Sequence, residues 1–391
     1  MLALRDAQAR VLALASIVAS EKLPLAAAIN RYASADLTAQ RTQPARHLSA
    51  MDGYAIRFED ADGPWTVIGE SAAGAPFRNI VMSGEAVRIF TGAAVPEGAD
   101  TVIIQENVVR QGDVLMLMGD VPRSKGANIR YAGSDFVQGD LIAPAGTRLR
   151  HAHIGLLALA GHTHIPVARQ IKVAMLSTGD ELVPLGAPLD DDHIPNSNAP
   201  MLAALCADLP ATIIDLGIAP DNLTALTTAI TSAHEADILV TIGGASVGDH
   251  DLVRPALLAA GAQIDFWKVA MRPGKPLMAG ILDKQFILGL PGNPVSAYVT
   301  ALLFLKPLIA ALSGARDALP KPISMTVGTP LPANGNRTDH IRARAENGLI
   351  IPLSSQDSAG LAALAKTDFL IVRAPNAPPA AKGDQVLVIA A

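Results

Sequence analysis

Cysteine is almost absent: the chain has one, Cys206, in 391 residues. A single cysteine excludes an internal disulfide framework and fits a reducing compartment. Within "MLAALCADL" it stands at helical spacing among apolar neighbours, so it reads as a small core residue, not a nucleophile. Aromatic residues are scarce as well, at 4%, although half of the chain is apolar. The apolar content is Ala, Leu, Val and Ile, the material of helices packed on sheets. No block of Lys and Arg occurs and the formal net charge is −5, so the cationic face that nucleic-acid binding needs is missing.

Two phosphate-binding signatures are also lacking. "PGKP" has neither the earlier glycine nor the following hydroxyl of G-x-x-x-x-G-K-[ST], which excludes a P-loop NTPase. No G-x-G-x-x-G opens a helix, which leaves a dinucleotide oxidoreductase without its fingerprint. The one candidate targeting segment, "VLALASIV", is too short to span a bilayer, is followed by Glu21 and Lys22 and has no small-residue cleavage site. It is read as an amphipathic helix of a cytoplasmic protein with no membrane partner.

The length exceeds what one hydrophobic core supports, so several domains are expected. Residues 1–30 read as helix by apolar spacing. From Arg46 to about Leu149 the runs "WTVIGE", "AVRIF", "TVIIQENVV" and "VLMLM", cut by Gly and Pro, read as strands. "HAHIGLLALA" returns to helix and Gly161 ends it. From Ile171 to about Gly314 strands alternate with helices, the pattern of a mostly parallel sheet covered on both faces. After the Pro-bearing stretch 318–332, "ISMTVG", "GLIIPL", "FLIVRA" and "QVLVIAA" suggest a small barrel of four strands. The expected class is multidomain α/β, with a central doubly wound, three-layer domain over 171–317. A helical or linker domain is expected over 1–45 and 150–170, a β-rich inserted module over 46–149 and a C-terminal β-barrel over 318–391.

In such a sheet ligands bind outside the carboxyl ends of the strands, and four loops there carry chemistry. "TIGGASVGDHD" (241–251) follows an apolar run. Its Gly243, Gly244 and Gly248 would let backbone N–H groups approach an anion at a helix N-terminus, or Asp251 is a helix cap and the glycines make a turn. "MLSTGDEL" (175–182) exposes Thr178, Asp180 and Glu181. "MRPGKP" (271–276) presents Arg272 and Lys275 on a turn stiffened by Pro273 and Pro276. "LPGNPVSA" (290–297) offers Asn293 as cap, Pro294 at the first helical position and Ser296 in the first turn. Each has a bland reading alone. Together they would bring cations for phosphate and carboxylates for a hard metal to one sheet edge. His151, His153, His162 and His164 form two H-x-H pairs, but a helix places His151 and His153 on different faces, against a zinc site.

In this order, "SAMDGYAI" (49–56), "GEAVRIFTGAAVPEGADTVIIQE" (84–106), "NIRYAGSDF" (128–136), "STGDEL", "GGASVGDHD", "MRPGKP" and "GLPGNPVSA" closely resemble the molybdopterin molybdenumtransferases, the MoeA-type proteins related to the gephyrin E domain. The resemblance covers nearly the whole chain and is weakest after residue 320. It implies the last step of molybdenum cofactor synthesis. Adenylylated molybdopterin and molybdate bind, the phosphoanhydride is cleaved with a divalent ion, molybdate passes to the dithiolene and AMP leaves. It makes 171–317 a molybdopterin-binding domain. Asp180, Glu181 and Asp251 become oxygen ligands suited to Mg²⁺, and Arg272 and Lys275 become contacts for molybdate or phosphate oxygens. Ser246, Pro276, Asn293 and Ser296 join the substrate loops. An elongated homodimer is implied, with the site between subunits and Asp52, Thr91 and Asp135 reaching towards the partner's site. The residues alone read Asp52 and Thr91 equally well as turn caps.

The sequence departs from the family pattern at named places. Arg272 stands where Lys is common and Ala245 where Val is usual. In "RTDHIRARA" His340 replaces the usual aromatic beside Arg342, an implied oxyanion contact, and "SSQDSAGL", with Ser358, matches loosely. Two rival functions remain: the adenylyltransferase of the preceding step, which lacks the inserted module and the barrel, and a gephyrin-like dimeric scaffold without turnover.

Overall fold

The structure is a computed structural model and describes residues 1–244 and 252–391. Ser246, Gly248 and Asp251 of the expected site lie outside the described residues. The central sheet has six strands in the order Ala211–Ala219, Ile171–Thr178, Ile238–Ile242, Gln285–Leu290, Met278–Leu282, Gln263–Phe266. The first four run parallel, and Met278–Leu282 is antiparallel to its neighbours. Three strands of this sheet, Gln263–Phe266, Met278–Leu282 and Gln285–Leu290, follow the helix Val253–Ala259.

Period-two alternation sends the strand side chains into two cores, because both faces of this sheet are covered. Ile171, Val173, Met175, Val240 and Leu288 join one cluster, while Ala174, Leu176, Leu239 and Ile287 join the other. Cys206 lies in the first cluster, 1% exposed, and burial pushes its thiol up to about 12. It is therefore not a thiolate nucleophile at neutral pH.

The apolar stretch 294–312 meets the length and hydropathy of a membrane span, yet 83% of it is buried within the protein. It is not one regular helix. A π-helical turn, Ala301–Leu305, separates Pro294–Thr300 from Lys306–Leu312. Pro307 has no N–H for the carbonyl four residues back, and Gln8 Nε2 donates to that carbonyl, Leu303 O, at 2.9 Å. This bond docks the first helix, Leu4–Ala13, whose Leu4, Ala7 and Val11 join the α/β core. The helix expected over 1–30 therefore ends at Ala13. Beyond it Leu14 and Ile17 remain exposed, and Ser20–Pro24 becomes a strand because His164–Ala168 offers it a ladder.

The inserted module is a six-stranded half-barrel. "TVIIQENVV" supplies two of its strands, Thr101–Ile104 and Val108–Gln111, broken by a 3-10 turn at Gln105–Asn107. The C-terminal barrel is closed by five strands, one more than the sequence pattern suggests. The missed strand, Thr338–Glu346, pairs with both Leu349–Pro352 and Phe369–Arg373 and so completes the ring. Its polar run "TDHIRARAE" conceals it, because Asp339, His340 and Arg342 are all buried.

Candidate functional site

Two adjoining cavities lie at the carboxyl edge of the central sheet. The first, about 640 Å³, is lined by Thr178, Gly179 and Glu181 after one strand, Gly243 and Gly244 after the next, and Pro291–Pro294 after a third. Backbone shape fixes this wall. Gly179, Gly243 and Gly244 all have positive φ (144°, 97° and 58°), where a side chain is strained. A Cβ on Gly243 would lie 2.4 Å from Thr178 O, so the two strand ends meet at backbone distance. Gly243 N–H donates to Leu290 O at 3.0 Å. It is thus engaged within the sheet, and at this wall Gly243 supplies close approach.

Thr178 is buried, and its Oγ1 has no hydrogen-bond partner among the described residues. Glu181 folds its carboxylate over Gly179, where an added Cβ would meet Glu181 Oε2 at 2.5 Å. Asp180 Oδ1 accepts a bond from Asp221 N at 3.1 Å. Asp180 does not line this cavity, whereas Asn198 and Asp221, absent from the sequence-based site, do. Asn198 Nδ2 donates to Gly292 O at 2.6 Å and its Oδ1 is buried without a partner among the described residues. An asparagine opening a helix reads from sequence as a cap, so no local signal marked it.

The second cavity, about 750 Å³, lies between the sheet edge and the barrel. Met271–Arg272 pairs parallel with Thr338 and Asp339 of the barrel, and the Arg272 guanidinium is ion-paired with the buried carboxylate of Asp339. Arg272, Lys275, Ser296, His340 and Ser358 all line this cavity. His340 is buried, which pushes its imidazole down to about 4 despite a hydrogen bond with the backbone of Arg272. Pro276, Pro291 and Asn293 line both cavities. The four loops therefore do share one edge, but the Glu181 carboxylate and the Arg272 and Lys275 cations stand in different compartments of it.

Asn293 precedes the helix Pro294–Thr300, with proline at the start, but its side chain does not cap it. Its Nδ2 donates instead to Ser358 Oγ at 3.0 Å, and Ser358 O accepts the helix's Val295 N–H at 3.0 Å. Ser358 is thus both a wall residue and the cap. Arg342 is placed otherwise than implied. Its guanidinium donates to Asp357 O at 2.8 Å and Gly360 O at 3.1 Å and is absent from both cavity linings. It holds the loop that carries Ser358.

Asp52 Oδ1 accepts from Thr91 N at 2.7 Å and Thr91 Oγ1 at 2.9 Å. These bonds, the backbone one first, hold its carboxyl below the usual range. Asp135 is exposed and its N–H donates to Gln43 O. None of the three lines either cavity within one chain. His153 Nδ1 accepts from Arg150 N and His162 Nε2 contacts Thr38 O, both local structural roles. Among the described residues no group of three His, Cys, Asp or Glu could hold a metal ion. Of the three expected carboxylates, Asp251 lies outside them. The Glu181 carboxylate and the Thr178 hydroxyl in one wall are oxygen donors only, which fits a hard divalent cation.

Comparison with known proteins extends over the same regions. Residues 2–161 match the MoeA N-terminal region (domain I and II), 174–311 a probable molybdopterin binding domain, and 325–391 the MoeA C-terminal region (domain IV). The molybdopterin molybdenumtransferase of Haemophilus influenzae is 41% identical over 301 residues, 76% of this chain and 74% of that one. Its counterpart from a Nostoc species is 37% identical over 360 residues, 87% of this chain and 82% of that one. A crystal structure of the molybdopterin biosynthesis MoeA protein from Pyrococcus horikoshii OT3 superposes over 100% of both chains, with TM-score 0.86 and 27% identity.

Proposed function

The chain belongs to the molybdopterin molybdenumtransferase family, the transferases of molybdenum cofactor biosynthesis, and from that premise we propose how its two cavities divide the work. Adenylylated molybdopterin occupies the 640 Å³ cavity at the glycine turn and molybdate the 750 Å³ cavity. Molybdate passes across the shared wall to the dithiolene, and AMP leaves. The observation that carries this reading is the shared wall of Pro276, Pro291 and Asn293 between a carboxylate compartment and a cationic one.

Each side has a task. Gly243 and Gly244 let the strand ends meet closely beside the phosphate, and Thr178 Oγ1, without a partner among the described residues, bonds it. Asp180 and Glu181, with Asp251, would hold Mg²⁺, which when bound neutralises charge at a phosphoanhydride. Arg272 and Lys275 bind the tetrahedral dianion by charge-assisted hydrogen bonds, and Ser296 and Ser358 line its compartment. Pro273 and Pro276 stiffen the loop that presents both cations. In this reading the protein is a cytoplasmic homodimer, and Asp52, Thr91 and Asp135 serve the partner's site.

The test is incubation with adenylylated molybdopterin, Mg²⁺ and molybdate, reading AMP release and reconstitution of an apo molybdoenzyme. Lys275→Ala is expected to raise the molybdate concentration for half-maximal product by about ten- to a hundredfold, the loss of one charge-assisted bond of about 1.5–3 kcal/mol. Affinity for adenylylated molybdopterin should change far less. An unchanged molybdate dependence removes molybdate from this cavity. Consumption of ATP with release of pyrophosphate would favour the adenylyltransferase, and tight association without turnover the scaffold.

A further inference from the structure

His340 has no task in the transfer from one cavity to the other. It lies on the barrel strand Thr338–Glu346, is 4% exposed, and lines the 750 Å³ cavity with Arg272 and Lys275. The backbone of Arg272 lies against its ring. Its Nδ1 is buried with no hydrogen-bond partner among the described residues. A buried polar atom left unpaired is unfavourable, and the cavity that His340 lines is where a partner for it can come from.

Burial keeps the ring from carrying a proton, and the charged groups around it decide what a bound dianion would change. Arg272, Lys275 and Arg337 line the same cavity, with Asp339 ion-paired to Arg272. On the same strand Arg342 sits two residues further along, its guanidinium on the carbonyls of Asp357 and Gly360. Arg373 lies opposite Asp339 on the paired strand. Cations outnumber carboxylates among these groups, and burial is what disfavours an imidazolium. A dianion bound between Arg272 and Lys275 reverses the field.

We propose that His340 is a proton-taking contact for the oxyanion: when a tetrahedral dianion binds beside Arg272 and Lys275, Nδ1 takes one proton from solvent and the new N–H donates to an oxyanion oxygen. This rests on the reading that the larger cavity takes the oxyanion. The linkage has a definite sign. The ring's pKa is higher in the bound state than in the free one, so binding takes up a proton, and affinity rises as pH falls through the bound-state value.

The experiment is titration calorimetry of the full-length protein with sulfate, which stays a dianion over the range used, and with molybdate near neutral pH. Buffers of different ionisation enthalpy count the protons exchanged. The unaltered protein should take up protons near about pH 6 and bind sulfate up to about tenfold more tightly for each unit by which the bound-state pKa exceeds the assay pH. His340→Gln keeps an N–H donor that does not titrate, so it should bind with no proton uptake and a flat pH profile. His340→Phe should lose both the uptake and the extra affinity. Nitrogen NMR of the His340 ring in the unaltered protein reads the same event without a variant, as a neutral ring that becomes protonated on sulfate addition. Uptake that persists in His340→Gln, or a ring that stays neutral while sulfate binds in a Lys275-dependent way, overturns the role of His340 alone. If neither anion binds and Lys275→Ala changes nothing, the cavity assignment falls, and the proposal with it.

Discussion

Replacing Gly243 by alanine tests whether the glycine turn is a close-approach device. At φ 97° an alanine is strained, which costs about 1–3 kcal/mol. Its Cβ would lie 2.4 Å from Thr178 O, roughly an ångström inside normal contact. The obstacle is backbone at the end of a central strand, and Gly243 N–H is itself bonded to Leu290 O, so neither side can yield without opening the ladder. Overpacking of this kind costs a further 1–3 kcal/mol or so. The sum, about 2–6 kcal/mol, lowers the α/β domain's transition by at least about 4 °C in scanning calorimetry. Because the strain pushes on Thr178, affinity for adenylylated molybdopterin should fall as well. Gly244→Ala is the control. Its φ of 58° is the left-handed well and its nearest obstacle is a methyl, Val253 Cγ2, at 2.3 Å, which can rotate away, so its cost should be smaller. A Gly243→Ala protein with a transition within about 2 °C of the parent and full affinity, or a reversed order of the two variants, would refute the reasoning.

Two further outcomes follow from single side chains. Asp237 accepts two bonds from Arg169, at 2.7 and 2.6 Å, and one from Lys172 N at 2.9 Å. Burial alone would raise its carboxyl, but these bonds, led by Arg169, hold it below the usual aspartate range. Its stabilisation is in place above the unfolded value near about 3.9 and is lost as pH falls through the lower folded value. Asp237→Asn should therefore cost about 1.5 kcal/mol at neutral pH, the low end because Arg169 is partly exposed, with a gap to the parent in denaturant titrations that narrows in acid. A gap independent of pH would be incompatible with this. Arg342→Ala removes two bonds to the loop carbonyls of Asp357 and Gly360. Hydrogen exchange at the Val295 amide, which donates to Ser358 O, should quicken by roughly ten- to a hundredfold. Unchanged exchange would mean that the loop holds itself.

The sequence by itself determined the multidomain α/β class and the buried, inert cysteine. It also placed the glycine- and proline-bearing loops at strand ends, because these follow from local periodicity and from glycine and proline positions, which act within a few residues. It could not determine which groups share a compartment. Glu181 and Lys275 both follow strands of one sheet, yet whether their loops face one cavity or two depends on the barrel packed against the edge. Arg272 finds Asp339 67 residues away. The cap that "NPVSA" promises is delivered by Ser358, from a loop fixed by Arg342. The strand Thr338–Glu346 escapes pattern reading because it buries Asp339, His340 and Arg342, whose polarity is satisfied or held open only by partners distant in sequence. Local pattern records which face of an element is apolar. Tertiary packing decides where a buried charge finds its partner, and around His340 it left one nitrogen without any among the described residues.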